Sequence, residues 1–401
     1  MERPLRQRGA DEIRVGLVGC GGRGTAAAAQ ALAADAGARL VAMADLFPAQ
    51  MEDALVALAA LPIAAQVAVA KERRHAGFGA CEELLAGDVD LVLLATPPHF
   101  RPRHARAAIT AGKHVFAEKP GAVDAAGVRD LLATAELART KGLNLAAGLN
   151  LRYLPLLQEG IARVHAGAIG EIRALHTLRH GGEAPEVPRT STMGAMEFQL
   201  RNWHHFTWLS GDFVVEQFVH HVDQAAWLMG ERYPVRCTGT GGRQARPAAA
   251  PGHTFDHFAH VFEYEGGVRL FTSTRQQVNC TDEMATIAYG TRGVFSITAR
   301  GVRIEGAEPW RPTRGEPQDI HQDEQDALFA ALRAGTPLND GERLAKSTLM
   351  AILARQCAYT GQALTWAQAL ASREALVPSA YTFEGVPPPA EVAIPGVTKF
   401  A

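Results

Sequence analysis

The chain has 401 residues, 47% of them hydrophobic and 20% charged, with a formal net charge of −2. That near-neutral balance leaves no electrostatic footprint for nucleic acid, and no apolar run is long enough to span a bilayer. The length exceeds what one hydrophobic core comfortably supports, so two domains are expected.

Five scattered cysteines include no CxxC pair and suggest no disulfide framework, which fits a reduced, cytoplasmic chain. The opening MERPLRQRGADEI lacks the apolar stretch of a signal peptide, and residues 1 to about 11 are expected to form a frayed tail.

The apolar run Ile13–Val18 reads as a buried strand. It feeds Gly19-Cys20-Gly21-Gly22-Arg23-Gly24, which fits G-x-G-x-x-G, and an alanine-rich helix follows over Thr25–Ala34. Strand, glycine loop and helix in this order form a dinucleotide-binding fingerprint. Gly19 serves the tight turn, Gly21 the backbone approach to a pyrophosphate, and Gly24 the helix–strand packing. Gly22 and Arg23 complete the loop, and the pyrophosphate would rest on the helix N-terminus. A second strand, Arg39–Ala44, ends in Asp45, placed to accept from both ribose hydroxyls and to repel a 2′-phosphate. Leu46-Phe47-Pro48 offers no arginine for such a phosphate, so NAD is favoured over NADP.

The alternation continues through helices near Met51–Ala60, Arg103–Ala111 and Ala126–Lys141 and strands at Leu91–Ala95, His114–Ala117 and Leu143–Ala147. It predicts an α/β domain with a doubly wound parallel sheet and its ligand at the carboxyl ends of the strands. Two loops then line the crevice, Thr96-Pro97-Pro98-His99-Phe100 and Glu118-Lys119-Pro120. Thr96, Pro97, His99, Glu118 and Lys119 are candidate cofactor contacts, although His99 reads equally well as a solvent histidine.

After Asn150 the texture changes. Strands are expected at Glu171–His180, Val235–Arg243, Phe258–Tyr264, Val268–Thr274, Met284–Tyr289 and Val294–Thr298, several joined by short turns. Helices are expected at Pro155–Ala166, Phe213–Met229, Gln322–Ala334 and Gly341–Thr360. This pattern predicts a second, α+β domain with a large, mostly antiparallel open sheet covered on one face by helices. Arg246–Gly252 reads as a loop. The expected boundaries are a dinucleotide-binding domain at 1–151, a substrate and oligomerisation domain at 152–384, and a proline- and glycine-rich tail at 385–401.

Three features stand together: Glu118-Lys119-Pro120 at a strand end, Gly148-Leu149-Asn150-Leu151-Arg152-Tyr153 at the domain junction, and Gly211 to Asp223 with Glu216, His220 and Asp223. With these motifs in this order, and with a closing helix followed by Tyr359-Thr360-Gly361 and Thr365-Trp366, the chain resembles the glucose-fructose oxidoreductase/inositol dehydrogenase/MocA family. The resemblance implies an N-terminal Rossmann domain, NAD as cofactor, a sugar, cyclitol or related polyol as substrate, and Lys119, Glu216 and His220 as the catalytic set. It also implies a homo-oligomer, dimer or tetramer, paired through the open sheet face. One departure is that Glu216 stands where the family usually has aspartate.

The residue chemistry runs the same way. On one continuous helix, Glu216, His220 and Asp223 fall at i, i+4 and i+7 and share a face. Removing hydride from a carbinol needs a base for the hydroxyl proton, which suits His220, and a cation for the developing oxyanion, which suits Lys119. The same residues could be a plain i,i+4 pair beside a solvated lysine, and Asp223 reads more readily as structural. Arg152, Tyr153, Arg201, Asn202, Trp203 and Asp223 are candidate substrate contacts. Trp203 could stack on a sugar face while Arg201 and Asn202 bond hydroxyls, or the segment could be aromatic core with Phe206 and Trp208. Adjacent histidines in His204-His205 and His220-His221 diverge on a helix, so no metal is expected. Two rivals remain: an NAD-dependent glycosidase that oxidises, eliminates and re-reduces, and a non-catalytic dinucleotide-binding regulator.

Overall fold

A computed structural model of the chain describes residues 12–246, 251–313 and 319–401. The expected tail at 1–11, and residues 247–250 of the expected loop, lie outside the described residues.

In chain order the first elements are β1 (Ile13–Val18), α1 (Gly22–Ala34), β2 (Ala38–Asp45), α2 (Pro48–Ala59), β3 (Arg74–Ala76), α3 (Ala80–Ala86), β4 (Leu91–Leu94), α4 (Arg101–Thr110), β5 (His114–Ala117), α5 (Ala125–Lys141) and β6 (Leu145–Ala147). There follow α6 (Pro155–His165), β7 (Ile172–Gly181), α7 (Ala195–Arg201), α8 (Thr207–Ser210), α9 (Phe213–Glu216), α10 (Val219–Leu228), β8 (Arg236–Gly242), β9 (His257–Glu263), β10 (Arg269–Gln276), β11 (Glu283–Gly290), β12 (Gly293–Thr298) and β13 (Gly301–Gly306). The chain closes with α11 (Ile320–Ala334), α12 (Gly341–Thr360), β14 (Leu364–Thr365) and α13 (Trp366–Ala371). The short strands β3, β13 and β14 and the short helices α3, α7, α8 and α13 go beyond the expected elements.

Two compact units result. The first comprises Met1–Gly121, Asp130–Tyr153 and Pro317–Leu344. Its sheet has the order β3-β2-β1-β4-β5-β6 with every neighbouring pair parallel, so the winding direction reverses between β1 and β4. A crevice outside the carboxyl ends of the strands opens at such a switch point. β4 reads LVLL and is buried throughout, as a strand covered on both faces must be. Small side chains let α1 lie close to the sheet, with Ala27, Ala28 and Ala31 fully buried. The segment 317–344, expected in the second domain, belongs here. Leu328 and Phe329 of α11 complete the core that includes those alanines, and a helix presenting such a stripe packs wherever that stripe is covered.

The second unit comprises Ala122–Arg129, Leu154–Glu316 and Ala345–Ala401. Its eight strands run β13-β12-β11-β7-β10-β9-β8-β14, antiparallel except for the β7–β10 pair. Side chains alternate on β10, where Leu270, Thr272, Thr274 and Gln276 are buried and Phe271 is exposed. The buried face carries α10 over β7 and β11. On β11 Tyr289 is exposed on the same open face as Phe271, while Met284 is exposed at the end of the strand on the helix-covered side.

Two expectations change here. The helix expected over Phe213–Met229 breaks after Glu216, and α10 starts afresh at Val219. The 385–401 segment has no helix or strand but is tied down. The Ala401 carbonyl accepts from Arg373 N at 2.9 Å and Ser372 Oγ at 2.8 Å, and Gly396 N donates to Thr360 O at 2.9 Å.

Candidate active site

In the first unit the glycine loop does what its spacing requires. Gly19 has φ +92°, and a Cβ there would lie 2.6 Å from Thr96 N and 2.7 Å from the Ala95 carbonyl carbon, so only glycine fits. A Cβ on Gly24 would run into the Gly19 carbonyl oxygen. At Gly21 a Cβ would meet only Gln50 Oε1 at 3.8 Å, and at Gly22 nothing within 4 Å, so the protein itself leaves that side open. Helix α1 has no acidic residue in its first turn and no side-chain cap on its N–H groups. An open cradle of glycine backbone under an uncapped helix start fits a dinucleotide pyrophosphate.

Asp45 ends β2 beside this loop. Its Oδ2 accepts from Cys20 N at 2.6 Å and its Oδ1 from Phe47 N at 2.9 Å, while burial raises its pKa. Arg23, in the first turn of α1, places Nε 3.0 Å from Glu118 Oε1, within ion-pair distance but without hydrogen-bond alignment. Glu118 is buried against Gly148, where a Cβ would come within 2.6 Å of its Oε2. Lys119 follows it at the carboxyl end of β5, half-buried, in a cis peptide with Pro120. Arg101 was not singled out from the sequence, yet its buried guanidinium donates to the carbonyls of Thr96 and Pro120 and so ties the two crevice loops together. Pro97 leads into a 3₁₀ turn over Pro98–Phe100, where the His99 ring packs edge-on against Phe100 at 5.0 Å.

A buried polar group surrounds Glu118. Glu324 of α11 is 1% exposed, and burial, with Glu118 beside it, raises its pKa. Asn150 Nδ2 lies 3.2 Å from His321 Nδ1, which lies 3.4 Å from Glu324 Oε1. Tyr153 donates to Asp340, whose other oxygen takes Arg343 at 2.7 Å. Burial beside that carboxylate raises the Tyr153 pKa, so the phenol stays protonated and serves as a brace. Arg152 is buried in the 3₁₀ turn Asn150–Tyr153.

In the second unit the chain turns sharply at Gly211 and Asp212, both with positive φ. Asp212 is fully buried and caps α9. It accepts from Phe213 N at 2.5 Å, Phe255 N at 2.9 Å and the Tyr359 hydroxyl at 2.5 Å, and burial pushes its pKa up to about 6. Arg355, fully buried, donates to Gly211 O at 3.2 Å and Val123 O at 2.7 Å. This network fixes the start of α9. The helix breaks beyond it, where Gln217 N at 2.9 Å and Phe218 N at 3.2 Å both donate to Phe213 O and the next helix begins at Val219, so the spacing of Glu216 and His220 is not that of a continuous helix. Both are half-buried. Asp223 is buried and accepts from Ser347 Oγ at 2.7 Å.

Among the candidate substrate contacts, Asn202 is 1% exposed. Its Oδ1 accepts from Val187 N at 2.8 Å, and its Nδ2 donates to Val187 O and Phe198 O. The amide braces the 187 loop rather than presenting itself to a ligand. Arg201 pairs with Glu197 at 2.8 Å, and Trp203 is half-buried with its ring stacked on His204 at 3.6 Å. His205 is buried with Nε2 3.2 Å from Pro185 O, and burial lowers its pKa. Arg179 on β7 was missed. Leu175, Thr177 and Arg179 share the helix-covered face of that strand, and a charge on the buried parity of a strand was the signal available.

A model described as an oxidoreductase family with an NAD-binding Rossmann fold matches residues 13–147, and the GFO/IDH/MocA C-terminal domain model matches residues 158–296. The chain is 26% identical over 342 residues to an inositol 2-dehydrogenase of Rhizobium meliloti, covering 82% of this chain and 92% of that enzyme. It is 26% identical over 243 residues to a 2,7-anhydro-N-acetylneuraminate hydratase of Escherichia coli, covering 59% of this chain and 60% of that enzyme. Its fold is similar to that of GenD2 from gentamicin A biosynthesis, solved in complex with NAD, with a TM-score of 0.66 at 20% identity over 91% of this chain and 99% of that one. With both domain models matched and the glycine cradle formed on the first of them, the chain belongs to the Gfo/Idh/MocA family, as an oxidoreductase with an NAD-binding Rossmann domain.

Proposed function

We propose that the protein moves hydride between NAD and a hydroxyl-bearing carbon of a sugar, cyclitol or related polyol. The observation that carries this reading is Lys119 at the carboxyl end of β5, next to Glu118, which pairs with Arg23 of the glycine loop. An ammonium held beside a dinucleotide cradle suits an oxygen that gains charge as its carbon is oxidised or reduced. NAD supplies the hydride acceptor, and the cradle of Gly19, Gly21, Gly22 and Gly24 with Asp45 would hold it. Thr96, Pro97, His99 and Glu118 would line its nicotinamide half. His220 takes the hydroxyl proton, Lys119 stabilises the oxyanion, and Glu216 accepts from a neighbouring substrate hydroxyl. Arg152, Arg201 and Trp203 are proposed as outer substrate contacts, while Tyr153, Asn202 and Asp223 act as braces. Asp45 makes NAD the preferred dinucleotide. The relative named inositol 2-dehydrogenase supports the polyol class.

A second reading has one observation behind it. The relative named a hydratase suggests chemistry in which a retained NAD returns its hydride within each turnover. Incubation with a panel of sugars, cyclitols and their glycosides separates the two, because only the dehydrogenase accumulates reduced nicotinamide. No turnover of any polyol or glycoside, with NAD bound, would refute both.

We further infer a homo-oligomer paired through the sheet face that exposes Phe271 and Tyr289, an apolar surface that a monomer would leave in water. Light scattering at a dimer or tetramer mass supports it, and a monomer mass at micromolar concentration refutes it. A cytoplasmic setting is proposed from the five cysteines, all free thiols and four of them buried. No described helix is long and apolar enough to cross a membrane.

A further inference from the structure

Around the break between α9 and α10, several buried polar atoms of the second unit have no hydrogen-bond partner. They are Nη1 of Arg179, Oε1 of Gln217, Nδ1 of His221 and Oγ1 of Thr177. Buried polar groups are ordinarily paired, and each exception calls for an explanation. These four sit close together. Helix α10 packs on β7 and β11, where Gln224 accepts from Thr286, the strand partner of Thr177. Arg179 lies two residues further along β7, on the same face as Thr177, paired with Met284. The chain before Gln224 therefore brings His221, Gln217 and Glu216 over this end of the strand. The field of Glu216 is the first charge felt by the Arg179 guanidinium, followed by Asp282, and Arg179 in turn helps to keep His221 neutral.

We infer that Arg179 and Glu216 form a reading head for two adjacent hydroxyls of a neutral polyol, the guanidinium donating to one oxygen and the carboxylate accepting from the other. An arginine with an unmet, buried N–H is a poised donor, and its planar fork is suited to neighbouring oxygens. A carboxylate is acceptor-only when ionised. The charge balance selects the ligand class. Glu216 and Asp282 both act on the Arg179 guanidinium, so its positive charge is already countered by carboxylates and does not call for an anionic ligand. The longer Glu216, in place of the usual aspartate, gives the carboxylate reach toward the second hydroxyl. The inference rests on the polyol reading above and assigns Arg179 to substrate selection.

The test is calorimetric titration of the NADH-loaded protein with myo-inositol, D-glucose and D-xylose as neutral probes and D-glucuronate as the anionic one. The wild type is expected to bind at least one neutral probe, and Arg179→Gln to weaken it about tenfold or more, with Arg179→Lys partly restoring it. One monodeoxy analogue of that probe should lose about tenfold on the wild type yet bind Arg179→Gln as well as the parent sugar does. Glu216→Gln should show the same pattern for the adjacent hydroxyl, which keeps the test open if Arg179→Gln folds poorly. NADH affinity and the melting temperature report folding in each variant. Unchanged affinity of a folded Arg179→Gln overturns the inference alone. So does glucuronate binding about tenfold more tightly than glucose through Arg179. Tight NADH with no polyol bound by the wild type overturns the polyol reading and this inference with it.

Discussion

Three single-methyl substitutions in the glycine loop should have three different outcomes. A Cβ on Gly24 would collide with the Gly19 carbonyl oxygen, 3.0 Å from its carbon and 3.2 Å from Ala95 Cβ. Ordinary contact is near 3.5–4.0 Å, so α1 must retreat by ~1 Å or more. Overpacking of this kind costs about 1–3 kcal/mol, of which helix propensity returns up to about 1. The retreat also carries the helix N-terminus away from the pyrophosphate, so Gly24→Ala should weaken NAD by about 100-fold and lower the melting temperature. Gly21→Ala meets only Gln50 Oε1 at 3.8 Å, so its stability should stay within about 0.5 kcal/mol. Its methyl stands where the backbone must approach the dinucleotide, so NAD should weaken about 10- to 100-fold. Gly22→Ala has open space and should bind NAD normally. Fluorescence titration of NAD and thermal melts on all three decide the matter. A Gly24→Ala protein with unchanged NAD affinity, or Gly21→Ala and Gly22→Ala behaving alike, would refute the assignment of tasks.

Three further outcomes follow from the same geometry. Asp45→Ala should weaken NAD more than NADP, narrowing the preference by about 1–3 kcal/mol, and equal affinities in the wild type would sink the NAD assignment. Asp212→Ala leaves three donors without their acceptor and should destabilise the fold by about 3–5 kcal/mol in denaturant titrations with NAD affinity unchanged; a loss under about 1 kcal/mol would contradict it. Burial holds His104 and His221 near pKa 3 and His253 and His260 near 4. Below pH 6.5 the unfolded chain therefore takes up protons that the native state refuses, and stability falls toward pH 4. Asp212, raised to about 6, acts in the opposite sense between pH 6 and 4 and cancels about one histidine. At about 1.4 kcal/mol per proton per pH unit, the net slope reaches roughly 4 kcal/mol per pH unit. Melting temperatures that stay flat from pH 7 to 5 would contradict this.

The first domain was legible because its signals are local. A strand, a glycine loop and a helix lie within a short span, and the glycine spacing is readable there, although the contacts that demand glycine at Gly19 come from Ala95 and Thr96, far along the chain. The second domain's strands were legible from alternation, as on β10. What the sequence hid is set at long range. The sharp turn that starts α9, just before the break at Glu216, is held at Asp212 by Phe255 and Tyr359, far along the chain. The return of α11 to the first unit depends on which core covers Leu328 and Phe329, and an amphipathic stripe does not name its partner. Asn202 looked like a sugar ligand because its amide can bond anything, and its commitment to Val187 is visible only once the loop is folded. Arg179 lay in a strand read for its pattern, while its charge on the buried face was the informative feature.

The most direct test of the central claim is steady-state kinetics of wild type, Lys119→Ala, His220→Ala and the double variant on the polyol that the panel identifies. The reading predicts that reduced nicotinamide accumulates in the wild type. Each single variant should lower kcat by on the order of 10²–10⁴ with NAD affinity nearly unchanged, and the double variant should fall far short of the product of the two losses. A His220→Ala protein that keeps near-full kcat across the pH range would contradict it and place the base elsewhere.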